Sequence, residues 1–275
     1  MNGKALHLAC GITVLLLAGC GKTAPSINTG IPAEETLRAK PAALSYAVKE
    51  YSWKVGDPSV SLIRTDTGVC FLSLVSGNFE GFGEKVGVHP GKDGFWHLEG
   101  KGQQEGIAAK AVSISSITPA VFGSGVKQYE WTNGQAPVRM LNKNEGVCFL
   151  SGLSGRFAGY GEEVRVRLAD DGYWYLGGQS GQADLKAKAI GIEWTASGAA
   201  GVEIKEHSWS VGKPAVKLLR KEEGFCFLAS VSGVLAGSGE QLRVYLADDG
   251  YWYLAGQSGQ DALSARAIAV RVPTR

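Results

Sequence analysis

The sequence predicts an all-β protein made of three tandem copies of one small antiparallel unit, each with about six strands. Three observations predict it. Cys70, Cys148 and Cys226 sit in the strings GVCFLS, GVCFLS and GFCFLA at a constant interval of 78 residues, and Trp96, Trp174 and Trp252 keep the same interval. Within each copy, apolar and polar residues alternate with the period of two that a half-buried strand requires. No segment of the repeated region carries a strong helix start signal.

The middle copy shows the elements in order. Gln128 to Thr132 is a short strand carrying Trp131, and Asn133-Gly134 is a tight-turn dipeptide. Val138 and Met140 then alternate with Arg139 and Leu141. Glu145-Gly146 turns the chain into Val147-Cys148-Phe149-Leu150, a nearly continuous apolar run that reads as a strand covered on both faces. A glycine-rich bend follows through Gly155, Gly159 and Gly161. Val164, Val166 and Leu168 share one side of the next strand, and Glu163, Arg165 and Arg167 the other. Asp170-Asp171-Gly172 is a hairpin turn, and Tyr173 to Leu176 is the return strand. Leu185, Ala187 and Ala189 line one face of the last strand.

Copies are expected at residues 46–117, 124–194 and 202–271, with linkers at 118–125 and 196–201 rich in small residues. A unit of about 70 residues lies near the lower limit for an independent core. Six strands can nevertheless close on themselves, so three beads in a row are expected ahead of one closed body with threefold pseudo-symmetry.

The N-terminus has a different character. Lys4 precedes an apolar run from Leu6 to Ala18, too short to span a bilayer as a permanent helix. It ends in Leu17-Ala18-Gly19-Cys20, which resembles the lipobox of bacterial lipoproteins. The resemblance implies a signal peptide at 1–19, acylation of Cys20, and a firm membrane anchor of several acyl chains. Gly21, in place of Asp, favours the outer membrane by resemblance to enterobacterial sorting. Residues 20–45, rich in Pro, Ala, Thr and Ser, read as a tether.

Composition narrows the function. The net charge is +2 and the charges are interspersed, so no basic stripe calls for nucleic acid. One thiol per copy, in a strand-like run, reads as a small buried hydrophobe rather than a metal ligand, because no His or second Cys stands at ligand spacing. His occurs at no position shared by all copies, and neither a Gly-x-Ser-x-Gly elbow nor His-Glu-x-x-His is present. Without a nucleophile, base and orienting group, the reading is non-enzymatic, with no cofactor and no metal.

Repetition nominates the binding candidates. Alternation puts Trp174 and Leu176 on the inner face of their strand and Tyr173 and Tyr175 on the outer face, with Tyr251 and Tyr253 equivalent in the third copy. Flat aromatics on an exposed sheet can stack on sugar rings, although they are also ordinary strand formers. Glu84, Glu162 and Glu240 each follow a Gly-x-Gly bend, where they either orient a ligand or cap the bend's free N–H groups. Asp93, Asp171 and Asp249 are explained by turn geometry.

The string G-x-C-F-L-x-x-x-S-G-x-F-x-G-x-G-E followed by D-G-x-W-x-L, over 68–98, 146–176 and 224–254, resembles a small β repeat of phage tail-fibre and bacterial envelope proteins; Leu235 replaces the Phe in the third copy. The resemblance implies recognition rather than turnover. The combined expectation is a lipid-anchored envelope protein whose β modules bind a polysaccharide or another envelope macromolecule, with no nucleic-acid partner. A structural lipoprotein packing against a protein partner is the alternative, and a glycan hydrolase acting through the repeated Glu the third.

Overall fold

The computed structural model describes residues 44–273 apart from 105, 118–120, 197 and 199. The expected signal, Cys20 and nearly all of the tether lie outside these residues. Pro41–Arg275 forms one compact unit.

Each copy supplies six strands, as expected. The first has β1 (Ala47–Lys54), β2 (Val60–Arg64), β3 (Gly68–Ser76), β4 (Lys85–Pro90), β5 (Phe95–Lys101) and β6 (Ala108–Ser115). The second has β7 (Phe122–Thr132), β8 (Val138–Asn142), β9 (Gly146–Ser154), β10 (Glu163–Leu168), β11 (Tyr173–Gln179) and β12 (Lys186–Trp194). The third has β13 (Glu203–Ser210), β14 (Val216–Arg220), β15 (Gly224–Ser232), β16 (Gln241–Leu246), β17 (Tyr251–Gln257) and β18 (Ser264–Arg271), with a 3-10 turn at Lys221–Glu223.

These strands form three six-stranded antiparallel sheets. Sheet I has the order β1-β6-β3-β16-β17-β14, sheet II β2-β5-β4-β9-β12-β7, and sheet III β13-β18-β15-β10-β11-β8. Every sheet is therefore half one copy and half its neighbour, and the three-bead arrangement is corrected to a closed, pseudo-threefold body. The seams are β4 with β9, β10 with β15, and β16 with β3. The physical reason is edge coverage. A lone copy divides into two three-stranded halves, leaving β3 and β4 each with an unpaired edge. The neighbouring copy's strands cover those edges, and the last seam joins the first copy to the third.

The core lies on the pseudo-axis. Phe71, Phe149 and Phe227, the phenylalanines of the repeated Cys-Phe-Leu strings, form a triangle with ring centroids 6.0, 6.2 and 5.8 Å apart. A second layer follows at one end. The Phe79 N–H donates to the Leu235 carbonyl, Leu235 to Phe157, and Phe157 to Phe79, a cyclic set of 2.7, 2.8 and 2.7 Å. Leu235 fits in place of phenylalanine here, completing the layer beside Phe79 and Phe157, whose rings are 6.2 Å apart.

The opposite end holds the chain crossings. Phe122, expected in a linker, begins β7 instead and stacks on Trp194 at 5.5 Å. The incoming N-terminal segment seats Tyr46 there. In the first two copies, the indole N–H of Trp96 or Trp174 donates to the carbonyl of Gly68 or Gly146. In the third, Trp252 donates to the Tyr46 hydroxyl, which donates in turn to the Gly224 carbonyl.

Candidate binding surfaces

The hairpins β4–β5, β10–β11 and β16–β17 carry the outward aromatics. Each is turned by an Asp-Gly pair; Gly172, with φ +81°, takes the left-handed conformation that glycine adopts without steric cost. The Asp then does two things. Its carboxylate accepts the backbone N–H two residues on, from Phe95, Tyr173 or Tyr251. It also bonds the side chain four residues on: His97 Nε2 at 3.0 Å, Tyr175 Oη at 2.8 Å and Tyr253 Oη at 2.8 Å. The Tyr173 N–H first, then the Tyr175 hydroxyl, hold the Asp171 carboxyl below the usual carboxylate range. Tyr253 does the same for Asp249, and the shared bond raises the phenol of Tyr175 and of Tyr253.

The four tyrosines are half-buried on the outer face, as the alternation predicts. Their rings are partly covered by cations of the same sheet. The Arg139 guanidinium lies 3.4 Å from the Tyr173 ring centre, and Lys217 Nζ lies 3.4 Å from that of Tyr251. Arg220 Nε donates to the Tyr251 hydroxyl at 2.6 Å. Tyr253 stacks on Tyr245 at 5.7 Å, and Arg243 lies 4.3 Å from the Tyr245 ring centre. Aromatic rings, carboxylates and cations thus alternate in a fixed array. Because the three hairpins belong to three different sheets, these arrays lie on three separate walls.

The repeated glutamates are elsewhere. Glu84, Glu162 and Glu240 are only 2, 3 and 4 % exposed. Each folds back under its glycine bend: a Cβ on Gly81, Gly159 or Gly237 would stand 2.4, 2.6 or 2.3 Å from the carboxylate oxygen. Glu84 accepts the Gly83 N–H, Glu162 the Ser180 hydroxyl and Glu240 the Gly259 N–H. Glu84 thus caps its own bend, whereas Glu162 and Glu240 bond the loops that follow β11 and β17, and each leaves Oε2 buried without a partner among the described residues. All three are buried, unlike the half-buried tyrosines of the outer face.

The indoles and thiols are interior. Cys70, Cys148 and Cys226 are fully buried, and burial pushes the Cys148 thiol up to about 12 and raises the other two. Among the described residues, no group of three or more His, Cys, Asp or Glu is placed to hold a metal, and no helix is long and apolar enough to cross a membrane.

A surface the repeats do not announce lies on sheet II. A trough of about 110 Å³ runs over the seam between the first two copies, with Lys85, Gly87, Gly152 and Lys186 among its lining. These are positions where the copies differ, so a search for what repeats passes over them. The available signal is Gly87, which interrupts the outer face of its strand where the other copies have Arg165 and Arg243.

No protein-family model matches the chain, and no curated protein does. Among solved structures, it is similar to a chain in "Life in the extremes: atomic structure of Sulfolobus Turreted Icosahedral Virus", with 10% identity over 83% of this chain and 89% of that one. The TM-score is 0.18, and neither fold nor function follows from that likeness.

Proposed function

We propose that this is a non-enzymatic, lipid-anchored protein of a bacterial envelope that binds a glycan through the outer faces of its hairpins. One observation carries the reading. Tyr173, Tyr175, Tyr251 and Tyr253 are outward aromatics whose orientations are fixed in advance by Asp171, Asp249 and neighbouring cations. Preorganised rings flanked by hydrogen-bonding groups suit a sugar, which offers an apolar ring face and a rim of hydroxyls. Presentation on separate walls favours bridging between strands of a polysaccharide mesh over wrapping one strand, with linked weak sites gaining avidity. The anchor rests on Leu17-Ala18-Gly19-Cys20.

Titration of residues 41–275 against cell-wall and surface polysaccharides tests the binding. Saturable binding lost in the Tyr173/Tyr175/Tyr251/Tyr253→Ala variant is the expected result; equal affinity of that variant excludes these faces. Labelled palmitate incorporated by the wild type and not by Cys20→Ala tests the anchor.

One observation favours the second reading, assembly with a protein partner. Phe82 and Tyr160, on equivalent glycine bends, are 75 and 74 % exposed. Exposed aromatics of this kind are common at protein interfaces. A pull-down lost on Phe82→Ser/Tyr160→Ser, with polysaccharide binding absent, would select it.

A further inference from the structure

The trough on sheet II has a floor of bare main chain. Gly87 and Gly152 are register partners across the seam of β4 and β9. A Cβ on Gly152 would stand 3.0 Å from the Val86 carbonyl oxygen, and one on Gly87 3.1 Å from that of Ser151. The equivalent places in the other seams are filled, by Arg165 opposite Ser230 and by Arg243 opposite Leu74. Arg165 reaches across to Glu206 at 2.9 Å and covers its seam.

The charges beside that floor are unbalanced. One cross-strand row of sheet II reads Lys101, Lys85, Ser154, Lys186, Thr132. Lys85 and Lys186 both register with Ser154, so their Cα atoms are about 9–10 Å apart, two strand spacings. Among the described residues, none of the three lysines has an ion-pair partner. The neighbouring row reads Glu99, Gly87, Gly152, Lys188, Glu130. Glu130 pairs with Lys188 at 2.7 Å, and Glu99 lies 3.4 Å from His89, whose ring is charged only when protonated, so the lining as a whole holds three lysines against two carboxylates. The matching row of sheet III is Gln179, Glu163, Ser232, Ser264, Ser210, and that of sheet I is Gln257, Gln241, Ser76, Ala108, Lys54. Neither gathers cations. Like charges directly opposite one another, as Lys85 and Lys101 are, cost stability that a bound anion restores.

We propose that this trough is a subsite for an anionic group carried on a sugar chain, a carboxylate or a phosphate held by Lys85 and Lys186 with a ring edge against the glycine floor. The proposal rests on the glycan-binding reading above and names the class of glycan. A bilayer is too flat to reach a recessed floor. A nucleobase would need a free aromatic face to stack on; of the two rings in the lining, Trp131 is buried and His89 is already stacked on His97 at 5.8 Å. A volume of 110 Å³ suits one charged group and part of a ring rather than a bulky side chain.

The experiment titrates residues 41–275, which contain every strand and its partners, with polygalacturonate, phosphorylated dextran and uncharged dextran. Anionic phosphatidylglycerol vesicles and a single-stranded oligonucleotide serve as competing polyanions. The proposal expects one charged polysaccharide to bind better than dextran, and Lys85→Gln/Lys186→Gln to weaken it about tenfold. Gly87→Arg is the sharper variant. It adds a positive charge but fills the floor, with the residue that the second copy carries at that place, and binding should fall although the protein becomes more basic. Unchanged or tighter binding by Gly87→Arg, with an unaltered melting curve, overturns the proposal. So does equal binding of vesicles or oligonucleotide. If Gly87→Arg fails to fold, the two exposed lysines decide. Dextran bound as well as the charged polymers, through the tyrosines, overturns the trough and leaves the glycan reading standing. Charged-polymer binding that survives the four-tyrosine variant supports the trough while removing the tyrosine faces.

Discussion

Gly100, Gly178 and Gly256 are positions where one carbon atom decides packing. The rings of Trp53, Trp131 and Trp209 lie directly over them, and a Cβ on Gly100 would stand 2.3 Å from Trp53 Cζ3. The ring cannot withdraw freely, because its N–H is committed to the Asp57 carbonyl at 3.0 Å. Gly100→Ala should therefore cost about 1–3 kcal/mol in denaturant unfolding. Gly83→Ala, with nothing within 4 Å of the added carbon, should stay within about 0.5 kcal/mol. Tyr46 gives a second test. It is buried and relays a hydrogen bond from Trp252 to Gly224, so Tyr46→Phe leaves both groups short of a partner and should cost about 1–2 kcal/mol. The thiols give a third. A thiol buried and raised in pKa is neither exposed nor a thiolate. Cys70, Cys148 and Cys226 in residues 41–275 should resist a disulfide reagent at pH 8 until denaturant is added, and rapid labelling of any one in the native protein would contradict the interior placement.

At the scale of elements, the seam of β10 and β15 is braced by Glu206 on β13, whose carboxylate binds Arg165 at 2.9 Å and Arg266 at 2.6 Å. Partial burial opposes its ionisation, but the two guanidiniums outweigh that and lower its pKa. A depressed folded-state pKa contributes stability that is present above the ordinary carboxylate pKa and lost as pH falls through the folded value. The stability gap between wild type and Glu206→Gln should thus be largest near neutral pH and close as pH drops below the usual carboxylate range; a constant gap would assign the effect to shape. Element by element, much was legible in the sequence. Turn dipeptides and alternation locate six strands per copy, and the apolar run through Cys148 marks a strand covered on both sides. The sharing of sheets was not legible, because alternation fixes which face of a strand is buried but not whose strand lies beside it. The site was legible by halves for a related reason. Repetition singles out the tyrosines and glutamates equally, yet only burial separates an outward ring from a carboxylate folded under a bend. The trough, defined by Gly87, Gly152 and unpaired lysines, arises from differences among copies.

At the scale of the molecule, the seam between β3 and β16 closes the chain into a ring. It joins residues near the two ends of the body, so each copy depends on both of the others. Removing any copy exposes two strand edges and one side of the Phe71, Phe149 and Phe227 triangle. Independent beads would each survive alone and unfold in separate steps; a closed ring should not. Residues 46–117 by themselves should show no stable strand signal as a dilute monomer, since half of their strands belong to each of two incomplete sheets. The body from 41 to 275 should lose far-ultraviolet circular dichroism and tryptophan fluorescence in one coincident transition, because the seven indoles are spread over all three copies. A folded, monomeric single copy, or resolved stepwise transitions, would mean that the seams contribute little and that each copy holds itself together. The two outcomes differ in kind, and the cyclic bonds among Phe79, Phe157 and Leu235 favour a closed ring: each bond joins two different copies, and removing any one copy breaks two of the three.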